Sequence, residues 1–382
     1  MALPCRGLGK TIVKLAIIRR RLAATGGAEQ FIAAISNSLA NQGIEVTLIA
    51  QQWGPTTAFP GRIIELPPSK GNRGYRFRAF QKSVADTVAA NVFDLVQSHE
   101  RLLTADLFRA GDGVHAAWVD RLKRHRSWGH GLFTNINPMH RIYMETERKM
   151  VRETDIIFVA ISSFIARELR DWLDVPDARI RVIENGVNLS YFRPATPEER
   201  SAARARFGIE GDAPAIAYVG SGFERKGAFQ LVRALTHPQL REVTALIAGG
   251  DKAEKSLARL IAKLGLAKRV TMTGAVGDVR SILHAADIFV LPTMYDPGPI
   301  AALEALASGL PVVTTPDTGV AEMIVDTGAG RITEREPEPL ADAIHQTLGE
   351  LAPAKQAALA LRPRLEHSLA VEKWLDFYRD LS

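Results

Sequence analysis

A single cysteine, Cys5, stands among 382 residues, which excludes an internal disulfide and a cysteine-based zinc site. No apolar run approaches the ~18 residues that span a bilayer, so the chain is not expected to be an integral membrane protein. The opening residues, MALPCRGLGK, lack the apolar core of a secretory signal, and the expected compartment is the cytoplasm. Gly7-Leu8-Gly9-Lys10-Thr11 looks like the tail of a phosphate-binding loop. Pro4 stands where that loop needs glycine, and the segment precedes a strand instead of following one. What remains is an ordinary globular composition, 46% hydrophobic and 24% charged, with a modest formal charge of +6. A chain of this length is too long for one core and implies two domains.

Short apolar runs alternate with helical segments throughout, the pattern of an α/β protein with parallel sheets. Strands are expected at Ile12 to Ile18, Val46 to Ala50, Leu95-Val96, Ile156 to Ile161 and Ile180 to Ile183. Residues 190–214 are rich in proline and charge and lack a strand, as a linker and leading helix would be. A second set then begins at Ile216 to Val219 and continues through Thr244 to Ala248, Val270 to Met272, Ile288 to Leu291 and Val312 to Thr315. The economical arrangement is two doubly wound, Rossmann-like domains facing a cleft, with ligands at the carboxyl ends of the strands. We place the first domain at 1–190 and the second at 191–365. Residues 366–382 form a last helix carrying Trp374, Phe377 and Leu381 at helical spacing.

Two stretches of the second half carry chemistry. Residues 295–315 read YDPGPIAALEALASGLPVVTT, with Asp296 and Glu304 bracketing the start of a helix that Gly309 stops. Backbone N–H groups and the helix dipole at such a start favour an anion. Alone, the pair also reads as a capping aspartate and a surface glutamate. The turn after Val219 reads GSGFERKG; Arg225 replaces the third glycine of a dinucleotide fingerprint, and Ala228 the lysine of a P-loop. Arg225 and Lys226 instead precede a helix opened by Gly227, an arrangement suited to a diphosphate, or merely to solvated loop charges.

Taken together these stretches resemble the retaining glycosyltransferases of family 4, whose fold is the two-Rossmann-domain GT-B architecture. Gly26-Gly27-Ala28-Glu29 matches that family's first-domain loop, Glu184 to Pro194 its interdomain segment, and Ala248 to Gly274 its middle second-domain stretch. Leu103 to Trp118 and Ala248 to Gly274 are most like the branch that builds lipopolysaccharide cores. The resemblance implies that Gly26, Gly27, Gly222, Arg225, Lys226, Asp296, Gly298, Ile300 and Glu304 bind the donor. Glu304 would hold the ribose and Asp296 the transferred sugar. Asp112 would lie at the reaction centre as a base-like group, with Arg225 and Lys226 neutralising the leaving diphosphate. It further implies a terminal helix that crosses back to the first domain. The chain departs from the family in having Asp296 where many relatives have glutamate. It also has Gly298-Pro299 where they have an aromatic residue and glycine. Pro299 offers no N–H, so a phosphate contact there falls to Ile300.

The expected reaction moves a sugar, glucose foremost, from a UDP-sugar to a lipopolysaccharide core or related glycolipid, with no cofactor. No Asp-x-Asp occurs in the chain, and the paired cations can do a metal's electrostatic work, so no metal is expected. Trp118, Arg121, Lys123, Arg124, His125, Arg126 and Trp128, followed by Leu132 and Phe133, suit an anionic membrane or a solvated helix face. Arg73, Arg76 and Arg78 interleaved with Tyr75, Phe77 and Phe80 would add to that surface, making the protein peripheral on the inner leaflet. The alternatives are a family 4 enzyme using a GDP-sugar or another acceptor, and a nucleotide-sugar epimerase of the same architecture, which needs no acceptor site. A basic nucleic-acid-binding protein is the non-enzymatic alternative, but Asp296 and Glu304 would have no role in it, and no nucleic acid is expected as partner.

Overall fold

Leu15 and Ile17 are buried on one side of the first strand and Ala16 and Ile18 on the other. A strand covered on both faces belongs inside a parallel sheet flanked by helices. The structure, a computed structural model, describes residues 14–22, 27–53, 59–125, 137–325 and 327–381. The chain forms two compact units, Met1–Asn185 with Ser368–Ser382, and Gly186–His367.

The first unit holds a seven-stranded parallel sheet of β1 (Lys14–Ile18), β2 (Glu45–Ala50), β3 (Arg62–Glu65), β4 (Leu95–Ser98), β5 (Leu107–Arg109), β6 (Ile157–Ala160) and β7 (Ile180–Val182). Their spatial order is β3-β2-β1-β4-β5-β6-β7. The order therefore reverses between β1 and β4, which pair in register from Leu15↔Leu95. The last helix, His367–Asp380, returns the chain to this unit. Trp374, Phe377 and Leu381 pack beside Leu15, Ile35 and Leu48, as their spacing predicts; Tyr378 joins them, its hydroxyl donating to Gln97 Oε1 at 2.5 Å.

The second unit repeats the plan with β8 (Ala215–Val219), β9 (Thr244–Ala248), β10 (Val270–Gly274), β11 (Ile288–Leu291), β12 (Val312–Thr314) and β13 (Gly330–Ile332). The parallel order is β10-β9-β8-β11-β12-β13, with the reversal between β8 and β11. The charged stretch before β8 forms the helix Pro197–Arg206, started by a Thr196–Glu199 capping box. The sequence pattern misses β3, β5 and β13. Of these, β3 and β13 are edge strands exposed or half-buried along their length, and β5 is three residues long. The apolar runs of β3 and β5 are two residues long and that of β13 is a single isoleucine, a weak strand signal. Among the described residues, no helix is long and apolar enough to cross a membrane.

Candidate active site

Doubly wound sheets bind ligands at the carboxyl ends of the strands where the order reverses. In the second unit that point lies between β8 and β11, and the two stretches singled out in the sequence leave the sheet there. After β8 comes a one-turn helix, Phe223–Lys226, so Arg225 and Lys226 lie on a helical turn of their own. Gly227 (φ +83) then breaks the chain before the helix Ala228–Ala234. Any Cβ at Gly227 would stand 2.0 Å from the Pro292 carbonyl oxygen, so only glycine lets this turn lie against the end of β11.

The basic turn is tied directly to the acidic loop. The Met294 N–H donates to the Arg225 carbonyl at 2.7 Å, and the Arg225 guanidinium donates to the Tyr295 carbonyl at 2.6 Å. Asp296 is fixed in turn, its N–H on the Asp317 carbonyl and its own carbonyl receiving the Gly319 N–H. These ties set the Asp296 carboxylate 3.0 Å from Lys226 Nζ and 3.9 Å from the Arg225 guanidinium. Both contacts fall on Asp296 Oδ2, which is buried. The helix Ile300–Ala307 begins after Pro299, whose carbonyl takes the N–H groups of Ala302 and Leu303. Ile300 opens that helix and Gly298 precedes it, as expected.

Glu304 sits in the helix's second turn. Burial pushes its carboxyl up to about 7, against a smaller downward pull from Lys226. The folded protein therefore keeps a proton that the unfolded chain, at an ordinary 4.5, would release. Stability is highest below the unfolded value and falls as pH rises from there through 7, leaving a poorly solvated charge at pH 8. Replacing Glu304 with Gln removes that charge. The variant's Tm is expected to exceed wild type by several degrees at pH 8, corresponding to about 1–3 kcal/mol, and to match it near pH 4.5. Thermal melts across this range test the assignment; equal melting at both ends would contradict it.

Two residues that the sequence reading gave no role complete the scaffold. Asp251, just after β9, accepts the N–H groups of Gly222 and Phe223 at 2.6 and 3.2 Å through Oδ2, and that of Ala253 through Oδ1. Gly222, expected at the donor, thus gives its N–H to Asp251. The buried Arg335 donates to the carbonyls of Pro292 and Glu224, joining the same two loops. An Asp after Gly-Gly at a strand's end was a readable signal; Arg335 had none.

In the first unit, Gly26 lies outside the described residues and Gly27 opens the helix Gly27–Ala40. Asp112 is exposed on the loop after β5 and lines a pocket of about 560 Å³. That loop is held from beneath. Arg101 Nε pairs with Glu147 at 2.7 Å, and its guanidinium donates to the Gly113 carbonyl at 3.0 Å. The Glu147 carboxylate also accepts the His115 N–H at 2.9 Å. His115 Nε2 lies 2.9 Å from His140 Nδ1, and burial, with Arg101 and His140, drives His115 down to about 3, so its ring is neutral. His99 is buried beside Gln97 and is likewise held well below its ordinary value by burial.

Of the basic surface expected around Trp118, one member departs from the expectation among the described residues. Arg121 is buried in an ion pair with Glu168 at 2.8 Å, its guanidinium over Phe164. Lys123 and Arg124 are exposed, Arg124 paired with Asp120, while 126–136 lie outside the described residues. On the helix Arg73–Ala89, Phe77 and Phe80 point into the core, and of the three aromatic residues named only Tyr75 is exposed. The helical period separates the aromatic residues that the sequence reading had grouped with the arginines.

Comparison with known proteins bears on this geometry. The model of the glycosyltransferase family 4 domain matches residues 25–191, and that of glycosyl transferases group 1 matches 199–357. The lipopolysaccharide glucosyltransferase WaaG of Escherichia coli is 24% identical over 80% of this chain and 81% of its own. The α-maltose-1-phosphate synthase of Mycolicibacterium smegmatis is 27% identical over 62% of this chain and 66% of its own. The crystal structure of WaaG superposes with a TM-score of 0.82 at 21% identity, covering 95% of this chain and 99% of that one. That of HepE from Anabaena, in complex with UDP and glucose, gives 0.75 at 16% identity, covering 96% and 99%. With the two models accounting in succession for most of the sequence and the whole fold shared, the chain belongs to the glycosyltransferases of the GT-B type, a family 4 domain followed by a group 1 domain.

Proposed function

We propose that the protein is a retaining, metal-independent hexosyltransferase that moves glucose from a UDP-sugar to a lipopolysaccharide core or related glycolipid at the inner face of the cytoplasmic membrane. The observation that carries this reading is the convergence of Arg225, Lys226 and Asp296 where the second sheet's order reverses, with Glu304 one helical turn into the adjoining helix. Two cations against one carboxylate leave a positive charge for the diphosphate leaving group, whose charge grows as the sugar departs. Asp296, a buried carboxylate held beside the two cations, suits a sugar hydroxyl. Glu304 suits the ribose hydroxyls, as donor or acceptor near neutral pH. Asp112 would assist the acceptor hydroxyl, and a front-face displacement, with the leaving phosphate taking the acceptor proton, fits these residues.

The likeness to WaaG supports the acceptor class, and the UDP and glucose bound to HepE support the donor. Membrane attachment rests on Lys123, Arg124 and the segment after them, since Arg121 is committed to Glu168. The test is a panel of UDP- and GDP-sugars incubated with the protein, with mass detection of products. UDP-glucose should be hydrolysed slowly without acceptor, with activity in excess EDTA within about twofold of the untreated rate because fixed side chains supply the positive charge. Interconversion of sugar nucleotides would favour the epimerase alternative, preference for a GDP-sugar would overturn the donor, and rescue of a chelated enzyme by magnesium or manganese would overturn metal independence.

A further inference from the structure

Tyr218 stands one residue before the end of β8, the strand at which the second sheet's order reverses, and is fully buried. Its ring lies edge-on to Phe223, with centroids 6.2 Å apart and planes at 65°. Phe223 heads the one-turn helix that carries Arg225 and Lys226, so the ring packs against the base of the basic turn. Phenylalanine would make that contact equally well. The hydroxyl is what the packing does not explain. It is buried and has no hydrogen-bond partner among the described residues, a cost that phenylalanine would not carry.

The charges that reach this hydroxyl belong to Arg225, Asp296, Asp251 and Arg335, the side chains that build the basic turn and tie it to the acidic loop. The two arginines have no acceptor to offer it. Both oxygens of Asp251 are taken by the N–H groups of Gly222, Phe223 and Ala253. Asp296 is the remaining acceptor. Its carboxylate is held by Lys226 at 3.0 Å and Arg225 at 3.9 Å, the cations on which a bound diphosphate would draw. A buried carboxylate that must share its counter-charges needs a further donor, and an O–H to an ionised oxygen is a strong one.

We propose that Tyr218 is a positioning residue of the donor site, its hydroxyl donating to the Asp296 carboxylate once a diphosphate engages Arg225 and Lys226. The inference rests on the glycosyl-transfer reading and adds to it a residue too deeply buried to touch the donor. The hydrogen bond forms on binding and not on folding. It keeps Asp296 ionised and in place while the two cations serve the leaving group.

Calorimetric titration of the full chain with UDP, and with GDP in parallel, compares the wild type with Tyr218→Phe, and thermal melts are recorded with and without nucleotide. Without nucleotide the variant should melt at the wild-type temperature or slightly above it, because an unpaired buried hydroxyl has been removed. Its nucleotide affinity should fall about tenfold, the loss expected for one hydrogen bond to a charged group. A hydroxyl with a merely structural role gives the reverse pattern, a lower melting temperature and unchanged affinity. Asp296→Asn identifies the acceptor. Nucleotide should still bind this variant, since the phosphate contacts belong to Arg225 and Lys226, and adding Tyr218→Phe to it should change affinity by less than about twofold. Unchanged affinity in Tyr218→Phe, melting several degrees below wild type without nucleotide, or an undiminished loss in the Asp296→Asn background would overturn the proposal. A wild type that binds neither UDP nor GDP would instead count against the glycosyl-transfer reading; the melts without nucleotide still decide whether the hydroxyl is unpaired in the free protein.

Discussion

Changing Lys226 to alanine is expected to lower turnover with a UDP-sugar by ~10²-fold or more, the usual loss when one stabiliser of transition-state charge is removed. The effect should fall on kcat more than on KM, because the leaving diphosphate gains charge only as the sugar bond breaks. Lys226 also answers Asp296, whose carboxylate lies 3.0 Å away and is largely buried. Alanine leaves that carboxylate facing only Arg225, at 3.9 Å, and some loss of Tm follows. Adding Asp296→Asn removes the unpaired carboxylate and tests the structural consequence through melting temperature; its own loss from the sugar site also slows turnover. The double variant should recover melting temperature and remain slow. If Lys226→Ala turned over like wild type, or if the double variant regained activity along with stability, the cation would be a structural partner of Asp296 and nothing more.

The features legible in the sequence were those where local residue types dictate a local outcome. β9 and β11 were read to the residue because each is an apolar run on a strand buried along nearly its whole length. The GSGFERKG turn and the Asp296–Glu304 helix start were readable for the same reason: glycine, proline and paired charges restrict what a short segment can do. The ties between them were not, since the bond from Met294 to Arg225 and that from Arg225 to Tyr295 join residues far apart in the chain. Neither was the pocket beside Asp112. Of the arginines lining it, Arg19 to Arg21 follow β1 and Arg73 and Arg76 start a helix more than 50 residues later, and sheet topology alone brings them together. Treating charges and aromatics on one helix as a single surface failed at Phe77 and Phe80, and again at Arg121, because a helix sends neighbours in sequence to different faces.

Removing the Glu147 carboxylate should have the largest effect on stability. Its side chain is 2% exposed, that of Arg101 is 10%, and the two lie 2.7 Å apart. Glu147→Ala would leave a guanidinium buried without its counter-charge, which costs about 3–5 kcal/mol. A fall in Tm of roughly 10 °C is expected for a unit of this size. The pair also supports the loop bearing Asp112 on both sides, through the Gly113 carbonyl and the His115 N–H. At temperatures where the variant is still folded, donor binding should be intact while transfer to acceptor is slowed. Replacing both partners by apolar residues of similar size, Arg101→Met with Glu147→Leu, removes the charges together and should restore most of the melting temperature. It cannot restore the two hydrogen bonds to the loop, so slow transfer should persist. A double variant with wild-type transfer would show that the ion pair only fills space in the core; one with both defects undiminished would show that stability here depends on the loop's backbone bonds and not on the buried charge.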